Sequence, residues 1–290
     1  MDMYRRVVLS LLSCCCLSLS AQTIDWSKSA VKPKADSIEK KILEPAKYVV
    51  TYTYRYAKDA KYPDEKREGL TVLEIGDRYN RFCDYYTLKF DSLTDEISRG
   101  KISLNEYTSM ALSSLKKSKF EENIVIDLHK NEATVQRTAG GTTKYQYEEA
   151  CPQLKWDLLP GDTVISGYHC SKATTRMYGR DYVAWYAPEI TMPYGPYKFG
   201  GLPGLILSVT DTADNFEFTL DGLQKTGNFT PVYLWSSKDI VKASRDKVRK
   251  IYKNYCADPV GALTSDGSVT VSDDVKATVE SKPYNPIELE

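Results

Sequence analysis

From residue 47 to residue 56 the chain alternates without a break, and this segment most constrains the fold. Tyr48, Val50, Tyr52, Tyr54 and Tyr56 fall on one side of a period-two pattern, and Val49, Thr51, Thr53 and Arg55 on the other. Side chains repeat every second residue in an extended strand, and β-branched and aromatic residues fit its pleated surface. Such a strand needs neighbours, and the sequence offers them at short range. Residues 70–75 and 79–90 read as a strand pair about a turn at Gly76-Asp77. Residues 124–128, 134–138 and 142–147 alternate again, with Asn131 and Gly140-Gly141 between them. Trp156 to Leu159 lead into Pro160-Gly161-Asp162, which reads as a turn. Residues 164–173 and 182–186 follow, separated by Gly179-Arg180-Asp181, and Phe216, Phe218 and Leu220 end the series. Short strands at roughly ten-residue spacing predict a meandering antiparallel sheet, not βαβ units.

Two segments break the pattern. Residues 91–118 read as helical, with Ser103-Leu104-Asn105-Glu106 as a capping box. Leu104, Tyr107, Ala111 and Leu115 then share one face, and Lys116, Lys117 and Lys119 suit the negative end of the helix dipole. Residues 237–256 read as a second helix, with a broken apolar stripe from Ile240 to Tyr255. The expected fold is α+β: a strongly curved, mostly antiparallel sheet, an incomplete barrel, with two covering helices.

The N-terminus reads as an address. Arg5 and Arg6 precede an apolar run from Val7 to Leu19, which ends in Ser18-Leu19-Ser20-Ala21. This is the layout of a cleaved signal peptide, and the run is too short for a permanent bilayer span. A second reading is a lipid anchor at Leu11-Leu12-Ser13-Cys14. The expected organisation is a signal peptide at 1–21, a polar lead-in at 22–46, a single β-rich domain at 47–258 and a polar C-terminal tail at 259–290. The expected location is the periplasm, the outer-membrane surface or the cell exterior, with no transmembrane span after processing.

Composition then excludes several classes. With 39 basic and 39 acidic side chains, no surplus exists to neutralise phosphates, so no nucleic-acid partner is expected. Processing removes Cys14, Cys15 and Cys16 and leaves Cys83, Cys151, Cys170 and Cys256 as candidate disulfide partners. Their spacings of 68, 19 and 86 residues, with only 2 His in the chain, do not match a metal-binding pattern. No metal and no cofactor are expected.

One stretch carries an identity. Residues 194–210 combine a tight Gly195-Pro196 turn, a Gly200-Gly201 pair and a Pro203-Gly204 turn before a strand begins at Leu205. The glycine spacing is not that of a phosphate loop, which needs Lys where Gly201 stands. Gly201-Leu202-Pro203-Gly204-Leu205-Ile206 resembles the hexapeptide that names the GLPGLI family. Upstream blocks are similar as well: Trp156; Gly167, Cys170, Lys172 and Ala173; Gly179 and Arg180; Trp185 and Tyr186; Gly195, Pro196, Lys198 and Phe199. The resemblance implies export to a bacterial envelope. It supplies no reaction and no site residues.

Candidate chemistry is sparse. His169 and Cys170 are adjacent, but neighbours on a strand point to opposite faces, which works against a thiolate–imidazole pair. Lys172, Arg180 and Lys198 sit among aromatics and carboxylates, where packing and salt bridges account for them. Tyr48, Tyr52, Tyr54 and Tyr56 form either one side of a filled core or the lining of a ligand face. The expected function is a non-enzymatic exported protein that binds a hydrophobic ligand or an envelope protein partner through a curved sheet. The alternatives are a structural or accessory module of an outer-membrane assembly, or a thiol- or carboxylate-dependent hydrolase.

Overall fold

The alternating segment becomes the centre of a twelve-stranded sheet in a computed structural model that describes residues 37–141, 143–227, 229–264 and 270–290. The signal-peptide and lipid-anchor readings lie outside the described residues. Strand β1 (Lys40–Pro45) precedes the central β2 (Tyr48–Ala57). The meander β3 (Lys66–Ile75), β4 (Tyr79–Asp84), β5 (Glu122–Asp127), β6 (Glu132–Thr138) and β7 (Lys144–Ala150) extends to one side of β2. A second meander, β8 (Asp157–Ile165), β9 (Tyr168–Met177), β10 (Arg180–Ala187), β11 (Leu205–Asp211) and β12 (Phe216–Lys225), joins its other side. The seam is the antiparallel β2–β12 pair, which runs from Tyr48 opposite Lys225 to Tyr56 opposite Phe216. A two-residue strand, β14 (Val241–Lys242), adds in parallel to β7, and every other pairing is antiparallel. The sheet keeps two edges, at β14 and β8, and does not close into a barrel.

The end of β3, β4 and the start of β5 are buried on both faces. Val50, Tyr52, Leu73, Phe82, Ile124 and Val135 align across β2 to β6 and form the inner face of the main core. The outer face is polar at its centre. Arg81 bonds Glu74 at 3.2 Å and Asn123 at 2.6 Å, Asn123 donates to Gln136, and Gln136 exchanges bonds with the Trp235 backbone. A ribbon of β1 paired with β13 (Pro231–Trp235) covers this ladder, with Tyr233 3.6 Å under the Arg81 guanidinium. Buried polar groups need partners, and the ladder provides most of them; Arg81 Nη2 has none.

Several local expectations are corrected. The described end of the polar lead-in forms strand β1. Residues 85–90 are helical, not a strand. Asp84 accepts from the Tyr86 and Thr87 amides and so starts helix α1 (Tyr85–Ser98). The 91–118 helix is two: Gly100, at φ 67°, ends α1, and the Ser103–Glu106 capping box starts α2 (Leu104–Lys117). Leu115 is exposed; the buried positions of α2 are Ala111 and Ser114. Pro160-Gly161 is a bulge inside β8, where the register against β9 shifts between Leu159 and Asp162. The turn comes six residues later, at Ser166 and Gly167, with φ 51° and 87°. It splits the expected 164–173 strand into a hairpin. The late helix, α3 (Arg245–Ala257), begins at its Ser244 cap, later than residue 237. Short helices α4 (Pro259–Thr264) and α5 (Asp273–Thr278) follow. The expected polar tail returns to the core: Glu288 is 5% exposed and Leu289 bonds the Tyr178 carbonyl.

Candidate ligand-binding site

The motif stretch is a plug. After β10 the chain leaves the sheet at Ala187 and returns at Leu205. Between these, Gly201 and Ile206 donate to the carbonyls of Pro193 and Tyr194. Gly204 lies so close to the β10 end that a Cβ there would sit 2.2 Å from the Ala187 carbonyl oxygen. A Cβ on Gly195 would meet the Ile206 side chain at 2.9 Å. Trp156 pins the loop by donating to the Gly200 carbonyl at 2.9 Å. The result buries Tyr197, Lys198, Phe199 and Leu202. Phe199 meets Tyr182 edge-on, and Tyr197 meets Phe120.

Burying Lys198 brings charge into the core. Its Nζ lies 2.5 Å from Glu149 on β7 and 2.5 Å from Glu288 near the C-terminus. Tyr197 donates to Glu288, and Arg245 at the start of α3 bridges Glu288 and Glu149. Burial opposes the Lys198 ammonium, but the surrounding carboxylates outweigh it and hold its pKa above the ordinary value. Burial likewise opposes the charge on Glu288, and Lys198, Tyr197 and Arg245 outweigh it, so that carboxyl stays below its ordinary range.

Beside this cluster two cavities adjoin. The first, of about 350 Å³, lies between the Tyr54–Tyr56 end of β2, the β5–β6 pair, α3 and residues 282–288. The second, of about 340 Å³, lies between α1, α2 and Trp235. Phe120, Glu121, Glu122, Tyr252 and Tyr255 line both. Glu122 and Arg137 face each other across β5 and β6, with a 2.8 Å ion pair, and Arg137 stacks 4.2 Å over Tyr252. Glu122 Oε2 and Arg137 Nε lack hydrogen-bond partners among the described residues. Burial pushes the Glu122 carboxyl above its ordinary pKa against the pull of Arg137. Both atoms are closed off from solvent, so a ligand's polar group would reach them only after a small side-chain shift.

The tyrosine face divides at this cavity. Tyr52 is fully buried, with its hydroxyl donating to the Ile206 carbonyl at 2.9 Å. Tyr54 stacks between Tyr56 and Phe218. Tyr48, Tyr52 and their neighbours fill core, and only Tyr54 and Tyr56 line the first cavity.

The remaining expected residues are structural in placement. Cys83, Cys151, Cys170 and Cys256 are all free thiols, so the disulfide expectation is corrected. Burial raises every one of their pKa values, that of Cys151 to about 11. His169 is exposed and Cys170 buried on opposite faces of β9. Lys172 packs over Trp185, Ala173 and Tyr186 are core, and Arg180 pairs with Asp211 at 2.9 Å over the Phe216 ring. Gly167 and Gly179 take turn conformations with positive φ. Among the described residues no group of three ligating side chains could hold a metal, and no helix is long and apolar enough to cross a membrane.

Sequence reasoning reached Lys198 and missed Glu122, Arg137, Glu149 and Glu288. A signal existed for three of them. Glu122 shares the inner-face register of Ile124, Arg137 that of Val135, and Glu149 that of Tyr147. A charge at an apolar register position marks a group that must find a partner inside. Glu288 carries no such signal.

No family model matches the chain, and no curated protein matches it. Among solved structures it is similar to PNGF-II in its P21 crystal form, with a TM-score of 0.45 and 11% identity over 73% of this chain. The C2 form of PNGF-II gives 0.45 and 12% over 72%. The matched region spans about a third of those chains, 34% and 33%.

Proposed function

We propose that this is an exported bacterial envelope protein of the GLPGLI type that binds a small amphiphilic ligand and does no chemistry on it. One observation carries the reading: two adjoining cavities share aromatic walls, and Glu122, which lines both, and Arg137, which lines the first, each hold a polar atom without a partner among the described residues. Rings for an apolar body and a few buried polar groups for orientation are the usual composition of a ligand site. The sheet that frames the site is read as an incomplete barrel curled about the motif loop, with the helices as covers. The contacts of that loop to Phe120 beside one meander and to Tyr182 in the other support the curl. Binding is favoured over thiol-dependent hydrolysis because burial raises the pKa of all four thiols and His169 faces away from Cys170. Mass spectrometry of the intact native protein, followed by organic extraction, tests the reading. A bound small molecule released on denaturation is expected; an extract identical to the buffer blank overturns it.

A second reading has its own observation. Edge strand β8 exposes Leu158, Leu159 and Val164, at 63%, 40% and 58%. An unpaired apolar edge can add a strand from another chain, as an accessory module of an envelope assembly would. Crosslinking from position 159 that captures no envelope protein counts against it.

A further inference from the structure

The charges around the first cavity are not evenly partnered. Its three carboxylates are engaged: Glu121 and Glu122 with Arg137, and Glu288 with Lys198 and Arg245. The cations at its mouth are not. Lys58, Lys119, Arg249 and Lys282 line the cavity, and Arg67 stands opposite Tyr56 on the neighbouring strand. Among the described residues none of these five makes a salt bridge to a carboxylate. Lys119 bonds the Lys116 carbonyl, Arg249 the Glu288 carbonyl and Lys282 the Tyr255 hydroxyl, all neutral acceptors. Like charges brought together repel, and Glu121 offsets only part of this at Lys58. The Lys58 ammonium is pushed below its ordinary pKa, first by burial and then by Arg67 and Lys282. Behind the cations stand Tyr54, Tyr56 and Tyr252, a wall of rings.

We propose that the first cavity binds an amphipathic organic anion, a carboxylate, sulfonate or phosphate on an aromatic or aliphatic body. Its acidic head sits among Lys58, Lys282 and Arg249, and its body lies against Tyr54, Tyr56 and Tyr252. The head relieves the repulsion among the cations, and the body covers ring surface that the fold leaves open. This assignment rests on the ligand-binding reading above and narrows its ligand class.

A pair of fluorescent probes separates the two claims. 1-Anilinonaphthalene-8-sulfonate and N-phenyl-1-naphthylamine share a body and differ by the sulfonate. At low salt the sulfonate is expected to bind roughly tenfold more tightly, with the difference shrinking as salt screens the cations. The double variant Lys58→Gln/Lys282→Gln, both on the surface, is expected to lose that tenfold and to bind the neutral probe as before. An unchanged thermal melt shows that the variant is folded. Equal affinity for the two probes, or an anion affinity indifferent to the double variant, overturns the anion assignment and leaves ligand binding standing. Binding of neither probe overturns both.

Discussion

Two arginine–glutamate pairs lie on opposite faces of the same half of the sheet, and their differences are instructive. Arg81–Glu74 joins β4 to β3 at 3.2 Å on the outer face; Arg137–Glu122 joins β6 to β5 at 2.8 Å on the inner face. Each guanidinium lies over a tyrosine, Tyr233 for one and Tyr252 for the other. Burial raises both glutamate pKa values against the pull of the arginine. The covers differ. The first pair is sealed by a ribbon, and its bonds continue through Asn123 and Gln136 to backbone, so exposure is 0% and 3%. The second is covered by α3 and the returning C-terminal residues, which leave a cavity, and exposure rises to 12% and 9%. A buried ion pair alone therefore does not mark a binding site. Nor does an unsatisfied atom, since Arg81 Nη2 also lacks a partner among the described residues; what differs is the room left beside the second pair.

The largest expected effect falls on the sealed pair. Arg81→Met leaves Glu74 buried without a cation and should cost about 3–5 kcal/mol in urea unfolding, with probe binding per folded molecule unchanged. Arg137→Met should cost less, about 1–3 kcal/mol, because Glu122 stands at a cavity wall and removing the guanidinium opens it to water. Equal costs would break the comparison, and so would an effect of Arg81→Met on binding.

Glu288→Gln tests the cavity's cover. Because the folded pKa of Glu288 is depressed, its contribution is full above the unfolded value of about 4.3 and is lost as pH falls through the folded one. The variant should be about 1–2 kcal/mol less stable than the parent at pH 7, and the two stabilities should converge as pH drops below about 4. A gap that does not shrink at all as pH falls below about 4 would show that the charge on Glu288 does not hold the tail. Ser103→Ala removes the cap of α2, away from both pairs, and sets the lower end of the scale at about 1 kcal/mol with no change in binding.

The sequence showed the sheet more clearly than the site, for physical reasons. Alternation in 48–56 and 134–138, and the Ser103–Glu106 cap, are local patterns that no distant contact had to complete. The errors lie where one chemistry serves two geometries. Pro160-Gly161 suits a bulge as well as a turn, and Asp84 ends a strand by capping a helix. The site depends on long-range meetings. Lys198 and Glu288 are 90 residues apart, and nothing near Glu288 announces that its carboxylate will be buried. The motif residues stood out, but their common task is steric: Gly195 and Gly204 admit close packing, and Trp156 fastens the loop.

The β2–β12 seam has a consequence for how the molecule is made. Each meander can zip from its own turns, because its strands pair with sequence neighbours. The seam must join Tyr48 to Lys225, so it closes a long loop and gains nothing until both meanders exist. Assembly should therefore run in two stages, with β2 and β12 brought together last. Pulse-labelled amide exchange during refolding would detect this as late protection of Val50 and Phe218 relative to Phe82 and Ile124. A chain caught before closure would expose two rows of unpaired backbone in the middle of its sheet.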